Sequence, residues 1–400
     1  LTTYATLIIL SGLVIFSYLF DLIAGKTKIP SVILLLFLGI CIHLVSDYFG
    51  MRKLNFTPIL PALGTLGLIL IVFEGALELK YSKSKNAVIK RSFVSALTIL
   101  LCTVALITAG FYYISGESIY KCFINAIPFC VVSSAIAIPS ASGMSKDKKE
   151  FIIYESSFSD ILTVVLFNFM LSNNKQITFG SFATLGVELA LILVVAAGSC
   201  LLLLYLIGRL THHIKSFLII AILILVYSIG QSYHLSALII VLALGLFLNN
   251  AGQIKFPWFR RIFIYPTLGQ DIKQLFQLSA ESAFLMRTFF FIIFGYTMDV
   301  FQLRDGSVIA NGGMVLLIIY LVRFIYIKAV LKTTLLPELV IIPRGLISVL
   351  LFYNIPANIK MPAIGTGILF VVILGTSVIM SLGLLGTRRQ SSGTQEFEDV

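Results

Sequence analysis

Few ionisable residues interrupt the apolar stretches of this chain, and the way they are grouped limits the chemistry open to it. The run Phe151-Ile-Ile-Tyr-Glu155-Ser-Ser-Phe-Ser-Asp160 sets two carboxylates and three serine hydroxyls immediately before a long apolar stretch. On a helix, Ser156 and Ser157 lie one turn before Asp160 and share its face, whereas Glu155 stacks with Ser159 on another. One carboxylate with hydroxyl neighbours suits a dehydrated hard cation, which prefers oxygen ligands. Burial penalises a bare negative charge, so the same group can take up a proton instead. A cation and a proton would then compete for Asp160.

Just upstream lie Pro128 and the run Ser133-Ser134-Ala-Ile-Ala-Ile-Pro139-Ser-Ala-Ser-Gly143. Pro139 has no backbone N–H and its ring clashes with the preceding turn, so a helix here is expected to break. The run Pro343-Arg344-Gly345 repeats the pattern inside a later apolar segment. Broken helices at membrane depth free backbone carbonyls and expose half-helix ends, which transporters use to hold ions. Two such segments in corresponding positions of two halves are the sequence signature of an inverted-repeat transporter.

The elements that must position these residues follow from composition. Of 400 residues, 58% are apolar and 12% charged, against about 25% charged in soluble domains. The chain therefore reads as an all-α membrane protein with one intramembrane domain over 1–387 and a polar, disordered tail over 388–400. A spanning helix needs about 20 apolar residues. On that basis thirteen segments are expected, near 4–24, 29–46, 59–79, 91–114, 120–141, 150–172, 181–208, 215–231, 235–249, 280–302, 308–328, 337–355 and 362–386.

Loop charge sets the orientation. With the N-terminus outside, twenty Lys and Arg residues fall in cytoplasmic connections or the tail, among them Lys83, Lys148, Arg261 and Arg389, against six on the other side. Positive residues stay inside, so the N-terminus is expected outside and the C-terminus in the cytoplasm. The same asymmetry accounts for the net charge of +11 without a nucleic-acid partner. Three arginines, Arg287, Arg323 and Arg344, remain within spans, together with the acids Glu74, Glu155, Asp160, Glu188 and Glu281. Such groups are costly in lipid and are expected to pair or to line a water-filled path.

Taken with their order, these motifs resemble those of the monovalent cation/proton antiporter superfamily. Phe73-Glu-Gly-Ala-Leu-Glu-Leu79 is similar to the FEGGL-type signature of sodium/proton exchangers of the NhaP/NHE kind. Glu155 to Asp160 is similar to their E-S-x-x-N-D motif, Phe291 to Gly295 to their F-x-x-x-G helix, and Ile342 to Ser348 to their R-G-x-x-S helix. The resemblance covers nearly the whole chain except the tail. It implies thirteen helices with two broken crossing helices, a moving core over about 91–172 and 308–386, and a dimerisation and scaffold domain over about 4–79 and 215–302. It also implies that Asp160 binds the ion and the proton, near Ser133, Ser134, Ser156 and Ser157, and that Glu155 pairs with Arg323 or Arg344. No organic cofactor is implied, and the expected assembly is a homodimer in a bacterial inner membrane. The expected activity is exchange of sodium for protons in pH homeostasis, not catalysis of a reaction.

Two departures bear on selectivity. The family commonly has Thr-Asp in the fifth helix where this chain has Ser133-Ser134, and Asn where it has Ser159. The Ser-Ser-Ala-Ile-Ala run is closer to the KefB-like branch, so a potassium efflux antiporter, or a channel that has lost its regulatory domain, stands as the alternative. A single aspartate that holds either one cation or one proton predicts electroneutral exchange. The five cysteines lack metal-ligand spacing and read as small buried hydrophobes. His212-His213 reads as a solvated loop, and no phosphate loop, hydrolytic triad or zinc motif appears.

Overall fold

A computed structural model describes residues 3–27, 31–49, 60–79, 85–141, 144–173, 179–209, 215–232, 237–298 and 300–395. Gly143, His212, His213 and His234 lie outside them, as do residues 396–400 of the tail. Among the described residues there is no strand, and each of the thirteen apolar stretches contains helix. The helices are α1 (Thr3–Thr27), α2 (Ser31–Tyr48), α3 (Leu60–Glu78), α4 (Asn86–Ser115), α5 (Ile119–Ala126), α6 (Ser134–Ser140), α7 (Lys146–Ser172) and α8 (Phe179–Arg209). They continue as α9 (Lys215–Ser232), α10 (Ala237–Asn250), α11 (Pro257–Phe263), α12 (Leu268–Thr297), α13 (Gly306–Tyr326), α14 (Leu346–Tyr353) and α15 (Thr366–Gln395). The backbone of α15 thus runs on past Arg388.

By length and apolarity alone, seven described elements can cross a membrane, or eight if the bent pair α10 and α11 forms one span. The α7 helix is not among them. Its first half carries Lys146, Lys148, Lys149, Glu150, Glu155 and Asp160, which marks it as a helix that needs partners for its charges. The short α11 was not foreseen; Pro257 stands at its first position, where a missing N–H costs nothing.

The chain divides into two compact units, the first formed by Leu1–Gly64, Lys90–Thr163 and Arg287–Val400, the second by Thr65–Ile89 and Val164–Met286. In the first unit small residues let helices approach closely, as membrane packing demands. Gly39 of α2 and Gly295 of α12 face each other, and a Cβ on either would collide with the opposite backbone. That contact explains the spacing of the Phe291 to Gly295 motif in packing terms. Nearby, Ser17 of α1 and Thr288 of α12 share a hydrogen bond of 2.6 Å between buried hydroxyls.

The second unit has its own core, built on Ile69, Phe73, Leu203, Leu223, Val241 and Leu244. Phe73 and Ala76 pack on α10 at Gly245, where an added Cβ would stand 2.6 Å from the Ala76 Cβ. The Asn250 amide closes this packing by donating to the Leu79 carbonyl at 3.1 Å. The Phe73 to Leu79 motif therefore serves helix packing inside this unit.

Candidate functional site

The candidate site lies wholly within the first unit, where two interrupted elements meet. The α5 helix starts at an N-cap, Ser118, and passes through a 3₁₀ turn, Ile127–Phe129, with Pro128 within its first two residues. The chain is then non-helical until α6 begins at Ser134, with Ser133 extended at φ −71° and ψ 111°. The interruption thus falls upstream of Pro139, which sits inside α6. Pro128, rather than Pro139, flanks the break, because its ring allows a first helical turn but supplies no N–H to it.

The second element departs from expectation. The stretch 337–355 is helical only from Leu346; Ile341–Gly345 is irregular, and turns precede it. Pro343 disfavours helical geometry at Ile342 and removes a donor, which accounts for the lost half. The two irregular segments are joined by a bond from the Ser133 N–H to the Pro343 carbonyl at 2.9 Å. At Gly345 an added Cβ would lie 2.6 Å from the Ser133 hydroxyl oxygen and 2.9 Å from its Cβ. Only a glycine allows the two backbones this approach.

The next helix but one after each break clamps it with a hydroxyl. Ser159 of α7 accepts the Val132 N–H at 2.9 Å, and Thr376 of α15 accepts the Arg344 N–H at 3.1 Å. Both N–H groups sit where an interrupted helix leaves donors unpaired, and an unpaired buried donor costs about 1–3 kcal/mol. Neither residue was singled out as a site residue from the sequence. A hydroxyl directly before the key aspartate was the available signal for Ser159; nothing local marked Thr376.

Asp160 is buried, 4% exposed. Its Oδ2 accepts from the Ser134 hydroxyl at 2.5 Å and from the Ser134 N–H at 3.4 Å. Its Oδ1 is buried and has no hydrogen-bond partner among the described residues. Of the five residues expected around the ion, the structure brings Ser134 to Asp160 and puts Ser133 one step away, at the crossing. Ser156 and Ser157 turn back on their own helix, donating to the carbonyls of Ile152 and Ile153 at 2.8 Å each. Hydroxyls on helices commonly bond this way when no stronger acceptor is in reach.

The two expected partners of Glu155 are separated by the geometry. Arg323 of α13 forms a two-pronged pair with it, Nη1 to Oε1 and Nη2 to Oε2, the latter at 2.7 Å. The Ser95 hydroxyl adds a third donor at 2.5 Å, and the Arg323 Nε donates to the Glu338 carbonyl at 3.1 Å. Arg344 instead serves carbonyls, donating to Phe129 at 2.7 Å and Ile342 at 2.9 Å. It holds positive charge against the carbonyl end of the first broken element, where half-helix ends are negative. Arg287 likewise donates to a carbonyl, that of Ala135 in α6, at 2.8 Å.

Chemically this is an oxygen site with one acidic group. Among the described residues no three His, Cys, Asp or Glu side chains gather as a metal centre would require. One carboxylate oxygen fixed by a hydroxyl, beside a second left available, matches the needs of a small hard monocation better than those of a divalent ion.

Comparison with known proteins bears on the fold and the family. The sodium proton antiporter MjNhaP1 from Methanocaldococcus jannaschii, in a structure at pH 8, is similar over 96% of both chains, with 20% identity and a TM-score of 0.69. An electron-microscopy map of the same antiporter is similar over 98% of this chain and 97% of that one, at 19% identity and a TM-score of 0.67. No curated protein sequence matches the chain. At these identities the structures establish a shared fold. The family "Sodium/hydrogen exchanger, transmembrane" matches residues 11–386 by its sequence model. That match reaches into every element of both units described above, and the chain belongs to the sodium/hydrogen exchanger family of integral-membrane cation/proton antiporters.

Proposed function

We propose that the protein exchanges sodium for protons at Asp160 by alternating access, one cation against one proton. The observation that carries this reading is the asymmetry of the carboxylate, with Oδ2 held by Ser134 and the buried Oδ1 unpartnered among the described residues. A buried carboxylate is stable as a neutral acid or with a cation against it, and disfavoured as a bare anion. The group therefore changes passenger rather than standing empty, which is the requirement of an obligatory exchanger. Each direction carries one positive charge, so the cycle is electroneutral. Glu155 and Arg323 form the fixed ion pair that frames the site, and Arg344 with the crossing at Ser133 and Gly345 holds the broken elements.

The family and the loop-charge asymmetry support an orientation with the N-terminus outside and the C-terminus in the cytoplasm. By the same resemblance the protein works as a homodimer in a bacterial inner membrane, in pH homeostasis. The test is Asp160→Asn in everted vesicles. Sodium-driven proton movement is expected to disappear while membrane insertion and yield persist; retained exchange at the wild-type half-saturating concentration refutes the assignment. In proteoliposomes, a rate that changes with imposed membrane potential refutes electroneutrality.

A second reading, potassium exchange of the KefB-like kind, is favoured by one feature. The first crossing presents the Ser134 hydroxyl, not an acid, to Asp160. A neutral ligand exerts a weaker field and discriminates less against the larger ion. Repeating the vesicle assay with lithium, sodium, potassium and rubidium separates the two readings.

A further inference from the structure

We propose that the ion pair between Lys148 and Glu338 is a brace that sets the geometry of the Asp160 site, which makes both partners positioning residues for transport. The inference rests on the reading of Asp160 as the ion site. Lys148 lies in the first turn of α7, twelve residues before Asp160. At 1.5 Å per residue the pair is about 18 Å from the site along the helix.

The Lys148 Nζ stands 3.0 Å from Glu338 Oε1 and 3.1 Å from Oε2. It also donates to the Thr334 hydroxyl at 2.9 Å and to the Leu336 carbonyl at 3.3 Å. This is not a loose surface pair, because the Glu338 side chain is only 6% exposed. The backbone carbonyl of the same residue accepts from Arg323 Nε, at 3.1 Å. Glu338 is thereby attached to α7 twice, directly through Lys148 and through the Arg323–Glu155 pair.

From Glu338 the chain reaches the second crossing through a short stiff run. The N–H groups of Leu339, Val340, Ile341 and Ile342 all bond back to nearby carbonyls, at 2.9 to 3.3 Å. Five residues on, the Pro343 carbonyl receives the Ser133 N–H, and the adjacent Ser134 binds Asp160. The contacts form a closed ring, from α7 at Lys148 to Glu338, along the crossing to Pro343, across to Ser133 and Ser134, and back to α7 at Asp160. Because every link is short and bonded, displacement at Lys148 must appear as displacement of Ser134 against the carboxylate. A small misplacement there changes cation affinity, since the hydrogen bond at Oδ2 is charge-assisted and steep in distance.

The experiment is a double-mutant cycle on the full chain in proteoliposomes, with Lys148→Met, Glu338→Gln and the two combined. Each single variant is expected to raise the half-saturating sodium concentration about three- to tenfold, the usual range for coupling through a packed network. Maximal rate per folded transporter changes little, because no group on Asp160 is removed. The double variant is expected to match the worse single variant rather than the product of the two. Lys121→Met, which breaks the more exposed Lys121–Glu117 pair of equal 3.0 Å length, serves as the control and leaves the half-saturating concentration unchanged. Wild-type half-saturation in either single variant overturns the brace, as do additive shifts in the double variant or a loss that follows only the folded fraction. Asp160→Asn in the same assay keeps the two questions apart. If it still exchanges, the site reading has failed; if it does not and the cycle shows no coupling, the brace alone has failed.

Discussion

The pair formed by Glu155 and Arg323 allows a prediction with its size and its asymmetry worked from the contacts. Both side chains are buried, at 4% and 1% exposure, and the guanidinium uses three nitrogens, two on the carboxylate and one on the Glu338 carbonyl. In Glu155→Gln the shape is kept, but a full positive charge remains at this depth with no counter-ion. Removing one member of a buried pair costs about 3–5 kcal/mol, which is about two to four orders of magnitude in the folded-to-unfolded ratio. Arginine cannot escape by shedding its proton, whereas a glutamate left alone can take one up and still receives the Ser95 hydroxyl. Glu155→Gln should therefore be destabilising at every pH, while the loss in Arg323→Met shrinks as the solution is acidified. Combining the two substitutions removes both charges and should recover a large part of the loss. The measurement is thermal unfolding of purified protein in detergent across a pH series. Equal stability of Glu155→Gln and wild type, or a double variant worse than either single one, refutes the idea that charge compensation, and not shape, holds α7 to α13.

Two further outcomes follow from the site. Lowering the pH should raise the half-saturating sodium concentration, approaching about tenfold per pH unit in the acid limit, without changing the maximal rate, because both ions compete for one carboxylate; a maximal rate that falls at saturating sodium excludes simple competition. Gly345→Ala should cost about 1–3 kcal/mol by overpacking, since its Cβ would stand 2.6 Å from the Ser133 hydroxyl, and Ser133→Gly in the same chain should restore yield and transport. Transport of Gly345→Ala at the wild-type rate would remove the crossing contact from the account.

Much of the helical framework was legible because lipid leaves few alternatives. Long apolar runs have to be helices when backbone groups have no water to bond, and the thirteen stretches read from the sequence each contain one. Asp160 was legible as a candidate for the same reason, since an acid beside a long apolar run is costly in lipid. Lost from view were the features that depend on which neighbour arrives. Ser156 and Ser157 share the face of Asp160 by helical periodicity, yet the carbonyls of Ile152 and Ile153, one turn back on the same helix, take both hydroxyls. Ser134, twenty-six residues away, reaches the carboxylate because the break at Cys130–Ser133 lets α6 begin beside α7.

The arginines show the division most clearly. Sequence alone established that Arg323 and Arg344 must each find compensation, because neither can lose its charge in the membrane. Which received the carboxylate was settled by tertiary packing, which brings α13 alongside α7 at Glu155 and leaves Arg344 between the Phe129 carbonyl of the first broken element and the Ile342 carbonyl of its own segment. Helix formation is local and follows from composition and solvent. Pairing between elements 168 or 215 residues apart depends on how helices cross, and no spacing along the chain encodes that distance.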